Sequence, residues 1–263
     1  MELSGKTVLL TGATGGIGHA IARRLHAAGA TLVLTGRRTE VLAPLATELG
    51  ARSVAVDLAD REAVQRLAEE CADVDVLVAN AALPASGPLA SFTTEEMDRA
   101  LDVNLRAPMI LARVLGDRMI ARRNGHLVFI SSLSGKTGTA GTSMYSATKF
   151  GLRGFGQGLR GDLRPFGVGV SVVFPGFISD AGMFADAGVE LPRGVGTSTP
   201  EEVADAVAGA VERNRGEVDV APLAMRAGAA FASLAPGLSA TVARRAGSDR
   251  IATDMTDAQR SKR

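Results

Sequence analysis

The sequence predicts an α/β fold: one domain with a doubly wound, about seven-stranded parallel sheet and helices on both faces. Short apolar runs rich in Val, Leu and Ile recur along the chain, separated by stretches whose apolar residues repeat at helical spacing. The first run ends in a glycine-rich turn that leads straight into a helical pattern, as in a βαβ unit. Apolar residues make up 46% of the 263 positions, enough to bury a sheet on both faces.

Residues 7–11 form the first apolar run, and Gly12, Gly16 and Gly18 follow with the spacing Gly-x-x-x-Gly-x-Gly. Such a turn aims backbone N–H groups from a helix N-terminus and suits a pyrophosphate, although glycines also mark ordinary tight turns. Residues 31–35 complete the βαβ unit. An acid near the end of this strand would grip the ribose 2′-OH of NAD, but Gly36-Arg37-Arg38 stands there instead. Arginine pairs with a 2′-phosphate in bidentate fashion, so NADP is favoured.

The third run, 52–57, ends in Asp57, which can accept from an adenine amino group or serve as a turn residue. Residues 75–79 precede Asn80-Ala81-Ala82. A helical stretch over 94–123 has Thr93 or Thr94 as N-cap before Glu95 and Glu96. Pro108 has no N–H to give the carbonyl four residues back, so the pattern predicts a kink and a free Asn104 carbonyl.

Residues 126–130 lead to Ser131-Ser132 at the carboxyl edge of the sheet, where open α/β sheets bind ligands. Next comes Tyr145-x-x-x-Lys149, which holds the chain's only tyrosine. Positions i and i+4 share a helix face. An adjacent cation would lower the phenol's pKa from its usual ~10 and make it a usable proton donor or acceptor. A surface helix carrying an aromatic and a lysine has the same spacing. This helix runs to about residue 163 with Gly151, Gly154, Gly156, Gly158 and Gly161. Glycine is costly inside helices, so the pattern predicts close packing, across a dimer axis among other choices.

Residues 169–174 form the sixth run, followed by Pro175-Gly176. Residues 177–196 read as a lid with an apolar inner face, and 217–220 as a seventh strand. Residues 223–247 carry Arg226, Arg244 and Arg245 and no acid. This helical extension is expected to pack over the substrate mouth or a second subunit, with peripheral membrane contact the less favoured outcome. Residues 248–263 read as a flexible polar tail. The catalytic domain is thus expected to span residues 1–222.

Net charge is +1, which gives no global field for nucleic acid. The single cysteine, Cys71, forbids an intrachain disulfide and fits a reducing compartment. His19, His26 and His126 lack metal-ligand spacing, so no metal site is expected. Neither a signal-peptide pattern nor a spanning segment stands out, and a cytoplasmic protein is expected.

Taken in order, Thr11-Gly-x-x-x-Gly-Ile-Gly18, Asn80-Ala-Ala, Asn104, Ser132, Tyr145-x-x-x-Lys149 and Pro175-Gly176 resemble the short-chain dehydrogenase/reductase family, from about residue 5 to residue 220. The resemblance implies a Rossmann-like fold and catalytic roles for Asn104, Ser132, Tyr145 and Lys149. Tyr145 would act as general acid or base, and Lys149 would bond the nicotinamide ribose and depress the Tyr145 pKa. Ser132 would orient the substrate oxygen, while the Asn104 main-chain carbonyl would hold a water behind Lys149. Gly12, Thr14, Gly16, Ile17, Gly18 and Arg37 would contact the cofactor, as would Asp57, Leu58, Asn80, Pro175, Gly176 and Ile178, with Tyr145 and Lys149. NADP(H) is expected in preference to NAD(H).

Three positions depart from the family pattern. Leu83 replaces the glycine that usually follows Asn-Ala-Ala, Asp180 replaces a threonine in the lid, and Gly15 replaces a basic residue found in many NADP-preferring members. The implied reaction interconverts a ketone or aldehyde and an alcohol on an apolar, lipid-, steroid- or terpenoid-like substrate, in a homodimer or homotetramer. A 3-ketoacyl-type reductase and a nucleotide-binding regulatory or scaffold protein without turnover are the competing readings.

Overall fold

Seven apolar runs form one parallel sheet, and their alternating side chains supply two separate core layers. The strands are β1 (Thr7–Leu10), β2 (Thr31–Gly36), β3 (Arg52–Ala55), β4 (Val76–Ala79), β5 (Gly125–Ile130), β6 (Val168–Pro175) and β7 (Glu217–Val220). Their order is β3-β2-β1-β4-β5-β6-β7, with every pairing parallel. The computed structural model describes residues 1–185, 188, 196–235, 237, 238, 241 and 258.

Successive strand residues point to opposite faces. Val8, Leu10, Val76, Val78, Val128 and Ile130 enter the layer under α1 (Gly16–Ala27), α2 (Thr39–Glu48) and α8 (Pro200–Glu212). Leu9, Leu77, Leu127 and Phe129 enter the layer under α3 (Arg61–Glu70), α5 (Ala107–Arg122) and α6 (Ser143–Leu163). The strand order reverses between β1 and β4. At such a switch point the βα loops diverge and leave a crevice beyond the carboxyl ends of the strands.

Helix starts follow local chemistry. Asp60 caps α3 by accepting from Glu62 N and Ala63 N. Thr93 with Glu96, and Thr199 with Glu202, form capping boxes for α4 (Thr94–Leu101) and α8. The helix expected over 94–123 is interrupted one step before its proline. Residues Asp102–Arg106 form a π-turn in which Ala107 N–H reaches Asp102 O, and Pro108 lies in the first turn of α5. There a missing N–H costs little, so the irregularity shifts into the preceding turn, which carries Asn104.

Of the α6 glycines, Gly151 faces Leu105 and Gly156 faces Val172 and Phe129, whereas a Cβ at Gly154, Gly158 or Gly161 would meet nothing within 4 Å. Close packing within the chain therefore accounts for two of the five.

The lid leaves β6 and forms α7 (Gly182–Ala185). Its two ends are tied by a bridge between Ile178 and Ser198, with Ser179 N donating to Ser198 O and Ser198 N to Phe177 O, both at 2.9 Å. Helix α9 (Leu223–Leu234) opens the expected extension. Residues 186, 187 and 189–195 of the lid lie outside the described residues, as do most of 236–247 and all of the expected tail but residue 258. Among the described residues no helix is long and apolar enough to cross a membrane.

Candidate active site

The turn between β1 and α1 is built so that its glycines touch backbone. Gly12 has φ +68°, and a Cβ on it would lie 2.7 Å from Ala81 Cα. A Cβ on Gly18 would lie 2.2 Å from Gly12 O. Asn80 locks the turn to β4: its Nδ2 donates to Thr11 O and Gly12 O at 3.1 Å each. Thr11 Oγ1 in return accepts from Asn80 N and Ala81 N, both at 3.1 Å. Glycine spacing alone did not reveal this role of Thr11.

A cleft of about 510 Å³ opens over this turn. Gly12, Thr14, Gly16, Ile17, Gly18, Arg37, Asp57, Leu58 and Asn80 all line it, as expected. Tyr145, Lys149, Pro175, Gly176 and Ile178 do not. Gly176 lies against Ala221 and Met225, and Ile178 is buried beside α8 in the core. The lid reaches the cleft further along its length, through Gly182 and Met183.

The donor set fits a dinucleotide carrying a 2′-phosphate. Arg37 and Arg38 are exposed at one end, and Arg38 donates to Thr14 O at 2.5 Å while Arg37 stays at the cleft wall. Beneath them Thr35 Oγ1 is buried and finds no hydrogen-bond partner among the described residues, an orphan that a polar ligand atom would satisfy. Asp57 accepts from Arg99 at 2.8 Å and from Ala59 N at 3.0 Å. Burial would raise this carboxyl, but the two hydrogen bonds and the charges of Arg99 and Arg37 outweigh it and hold the pKa low.

The four expected catalytic residues lie on three neighbouring elements. Tyr145 and Lys149 occupy successive turns of α6, with the Lys149 Nζ 5.5 Å from the tyrosine ring centroid. Ser132, two residues beyond β5, stands near enough to the Tyr145 hydroxyl to lower the phenol's pKa, while its own Oγ accepts from Ser134 N at 3.1 Å. Lys149 is 2% exposed and donates to Ile130 O at 2.9 Å.

The expected depression of the Tyr145 pKa by Lys149 is not what this geometry gives. Burial pushes the phenol up to about 12, opposed in part by the Ser132 hydrogen bond. Burial also pulls Lys149 down to about 8. Desolvation is the leading cause of both shifts.

Asn104 is fully buried and does more than the sequence implied. Its Oδ1 accepts from Leu83 N at 2.7 Å and its Nδ2 donates to Leu83 O at 2.9 Å. Leu83 lines the cleft while its side chain also joins the core at 6% exposure.

Asp180, the lid departure, is exposed with φ +63°, and Ala181 N donates across it to Ser179 O at 2.7 Å. This is a γ-turn, rare for a residue with a side chain. It seats Ala181 so close to Gly16 that a Cβ there would overlap it at 2.2 Å.

A family model described as short chain dehydrogenase matches residues 6–190. Ketoacyl reductase HetN of Nostoc sp. is 38% identical over 227 residues, covering 83% of this chain and 79% of that protein. The 3-oxoacyl-acyl-carrier-protein reductase of Rickettsia conorii is 37% identical over 180 residues, covering 68% of this chain and 75% of that protein. A solved short-chain dehydrogenase from Sphingobium yanoikuyae, in complex with NADPH, superposes with TM-score 0.77 at 28% identity. It covers 89% of this chain and 95% of its own. A metagenomic short-chain oxidoreductase in complex with NADP gives TM-score 0.69 at 34% identity, with 84% and 99% covered.

Proposed function

The chain belongs to the short-chain dehydrogenase family, and within it we propose that the protein is an NADP(H)-dependent oxidoreductase that interconverts a carbonyl and an alcohol on an apolar substrate. The observation that carries this reading is the placement of Tyr145 and buried Lys149 on successive turns of α6, with Ser132 just past β5, at the same carboxyl edge of the sheet as the glycine-turn cleft. Arg37 and Arg38 support NADP over NAD, as do solved relatives that hold NADPH or NADP.

A bound nicotinamide would supply or accept the hydride. The chain's own residues handle the oxygen and its proton. With its pKa near 12 the Tyr145 phenol is protonated at neutral pH, ready to donate to an alkoxide as it forms. Ser132 bonds the same oxygen and fixes its place. Lys149 places an ammonium beside the phenol, where it stabilises the phenolate left once the proton has been given up. The Asn104 carbonyl, opposite the N–H that Pro108 lacks, is free to accept from a water that links Lys149 to solvent.

Phe177 and Phe184 stack at 4.8 Å in the lid, which supports an apolar substrate. The names of the ketoacyl reductase relatives favour a 3-oxoacyl chain over steroid- or terpenoid-like ketones. A homo-oligomer through the α5–α6 face is part of this reading. The open glycines Gly154, Gly158 and Gly161 share a helical face of α6 with Phe150, which is 41% exposed, and α5 exposes Met109. The single cysteine supports residence in a reducing cytoplasm.

The test is NADPH consumption with a panel of 3-oxoacyl thioesters and apolar ketones. Tyr145→Phe is expected to cut turnover at least ~100-fold, since it removes the proton donor, with NADPH affinity unchanged. Full activity in that variant would refute the assignment.

A further inference from the structure

Edge strand β7 presents two carboxylates, Glu217 and Asp219, on one face. Lys136 reaches both: its Nζ lies 2.5 Å from Asp219 Oδ1 and 3.2 Å from Glu217 Oε2. The same ammonium sits 4.0 Å over the ring of fully buried Phe174, the β6 residue just before Pro175-Gly176. From the other side Glu217 accepts from Arg153 at 2.9 and 3.3 Å and from Gln157 at 2.7 Å. Arg153 lies one turn beyond Lys149 on α6. One acidic pair therefore holds both the catalytic helix and the segment that carries Lys136.

That segment is short and stiff. Ser132 Oγ accepts from Ser134 N at 3.1 Å, Gly135 N donates to Ser132 O at 2.8 Å, and Lys136 N donates to Leu133 O at 2.9 Å. A Cβ on Gly135 would stand 2.7 Å from Lys149 O, so the turn lies flush against α6. Its leading end is pinned by Ser131 Oγ donating to Lys149 O at 2.9 Å. Its trailing end is pinned by Lys136, whose side chain is 12% exposed. Because the turn moves as a unit, its trailing anchor governs the direction in which the Ser132 hydroxyl points.

We propose that Lys136 is a positioning residue: by clamping the serine turn to the carboxylates that also hold α6, it sets the Ser132 hydroxyl against the Tyr145 phenol. This rests on the catalytic reading of Ser132 and Tyr145 given above. A solvated ion pair would contribute little, but this one is largely shielded and shared by three elements.

The chain has one tyrosine, so a label at the phenolic carbon of tyrosine gives one ¹³C resonance that reports the Tyr145 hydrogen bond without turnover. In the full chain, Lys136→Met is expected to move that resonance in the same sense as Ser132→Ala and to lower kcat about tenfold, as small misplacements at a reacting centre do. The KM for NADPH should stay within about twofold, because the cofactor cleft does not include this turn. Lys136→Arg is expected to restore at least half of the lost kcat. The charge-balanced pair Lys136→Met/Asp219→Asn should behave like Lys136→Met, and it carries the comparison if the single variant does not fold.

An unmoved resonance, or an unchanged kcat with only a lower melting temperature, would overturn the proposal and leave a structural tie. A moved resonance in a protein whose Tyr145→Phe variant keeps full turnover would instead sustain the clamp and overturn the catalytic reading.

Discussion

Around the glycine turn the cleft wall is backbone that has no room to move, whereas around Tyr145 the wall is side chains steadied by other side chains. On the first side, Gly12 and Gly18 meet Ala81 and Gly12 backbone atoms at distances no Cβ tolerates, and Asn80 and Thr11 close the ladder. On the second, Lys149, Asn104 and Ser132 each rely on partners from other elements: Ile130 O, the Leu83 backbone, and the turn ending in Lys136. A cofactor shared by many reactions calls for a rigid, generic cradle. Chemistry specific to one substrate needs groups that can be tuned by neighbours.

Three changes would break or sharpen this contrast. The largest effect is expected from Gly18→Ala, whose methyl would lie 2.2 Å from Gly12 O. Overpacking against backbone should cost about 3 kcal/mol of stability and weaken NADPH binding more than ~10-fold, read by thermal unfolding and by titration of NADPH fluorescence. Normal binding would show that this wall yields after all.

Arg37→Asp should come next. It removes a charge-assisted hydrogen bond from the cleft, and a loss of about 2 kcal/mol corresponds to a roughly 30-fold weaker NADPH affinity. NADH should be little affected, so the ratio of the two affinities is the measurement. Equal losses would mean that Arg37 does not read the 2′-phosphate.

The smallest effect lies away from both walls, at the amino end of β5. His126 on β5 is buried, and its Nε2 lies 2.8 Å from Ser171 Oγ on β6, which donates to Arg215 O at 2.5 Å. Burial, chiefly, pulls its pKa down to about 3 from the ordinary 6.5. The unfolded chain therefore takes up a proton that the folded chain refuses. This contribution is intact above pH 6.5 and is lost progressively as the pH falls toward 3. Unfolding at pH 5.5 should require about 1.4 kcal/mol less than at pH 7.5 on this account. His126→Gln should flatten that slope in denaturant titrations, and an unchanged slope would assign it to other groups.

Legibility in the sequence follows the range of the interactions. The glycine turn, the strand runs and the capping residues are local, so spacing and residue type were enough to place them. The four residues proposed as catalytic stood out because their residue types and order are unusual together. Contacts across long separations were not legible. Asp57 with Arg99, Asn104 with Leu83 and Lys136 with Asp219 join residues that are 42, 21 and 83 positions apart. The Tyr145 pKa was misjudged for a related reason. Spacing reveals that a cation is near, while the desolvation that prevails here depends on everything packed around the pair.

The bridge between Ile178 and Ser198 gives the lid a common point of departure and return. The pairing of Ile178 with Ser198 holds the two ends of the segment together beside the sheet edge and Pro175-Gly176. Closing a longer excursion is cheap, about 0.6 kcal/mol for each doubling. The lid is in that sense an exchangeable cassette. An engineer can therefore graft a foreign segment between the same two residues.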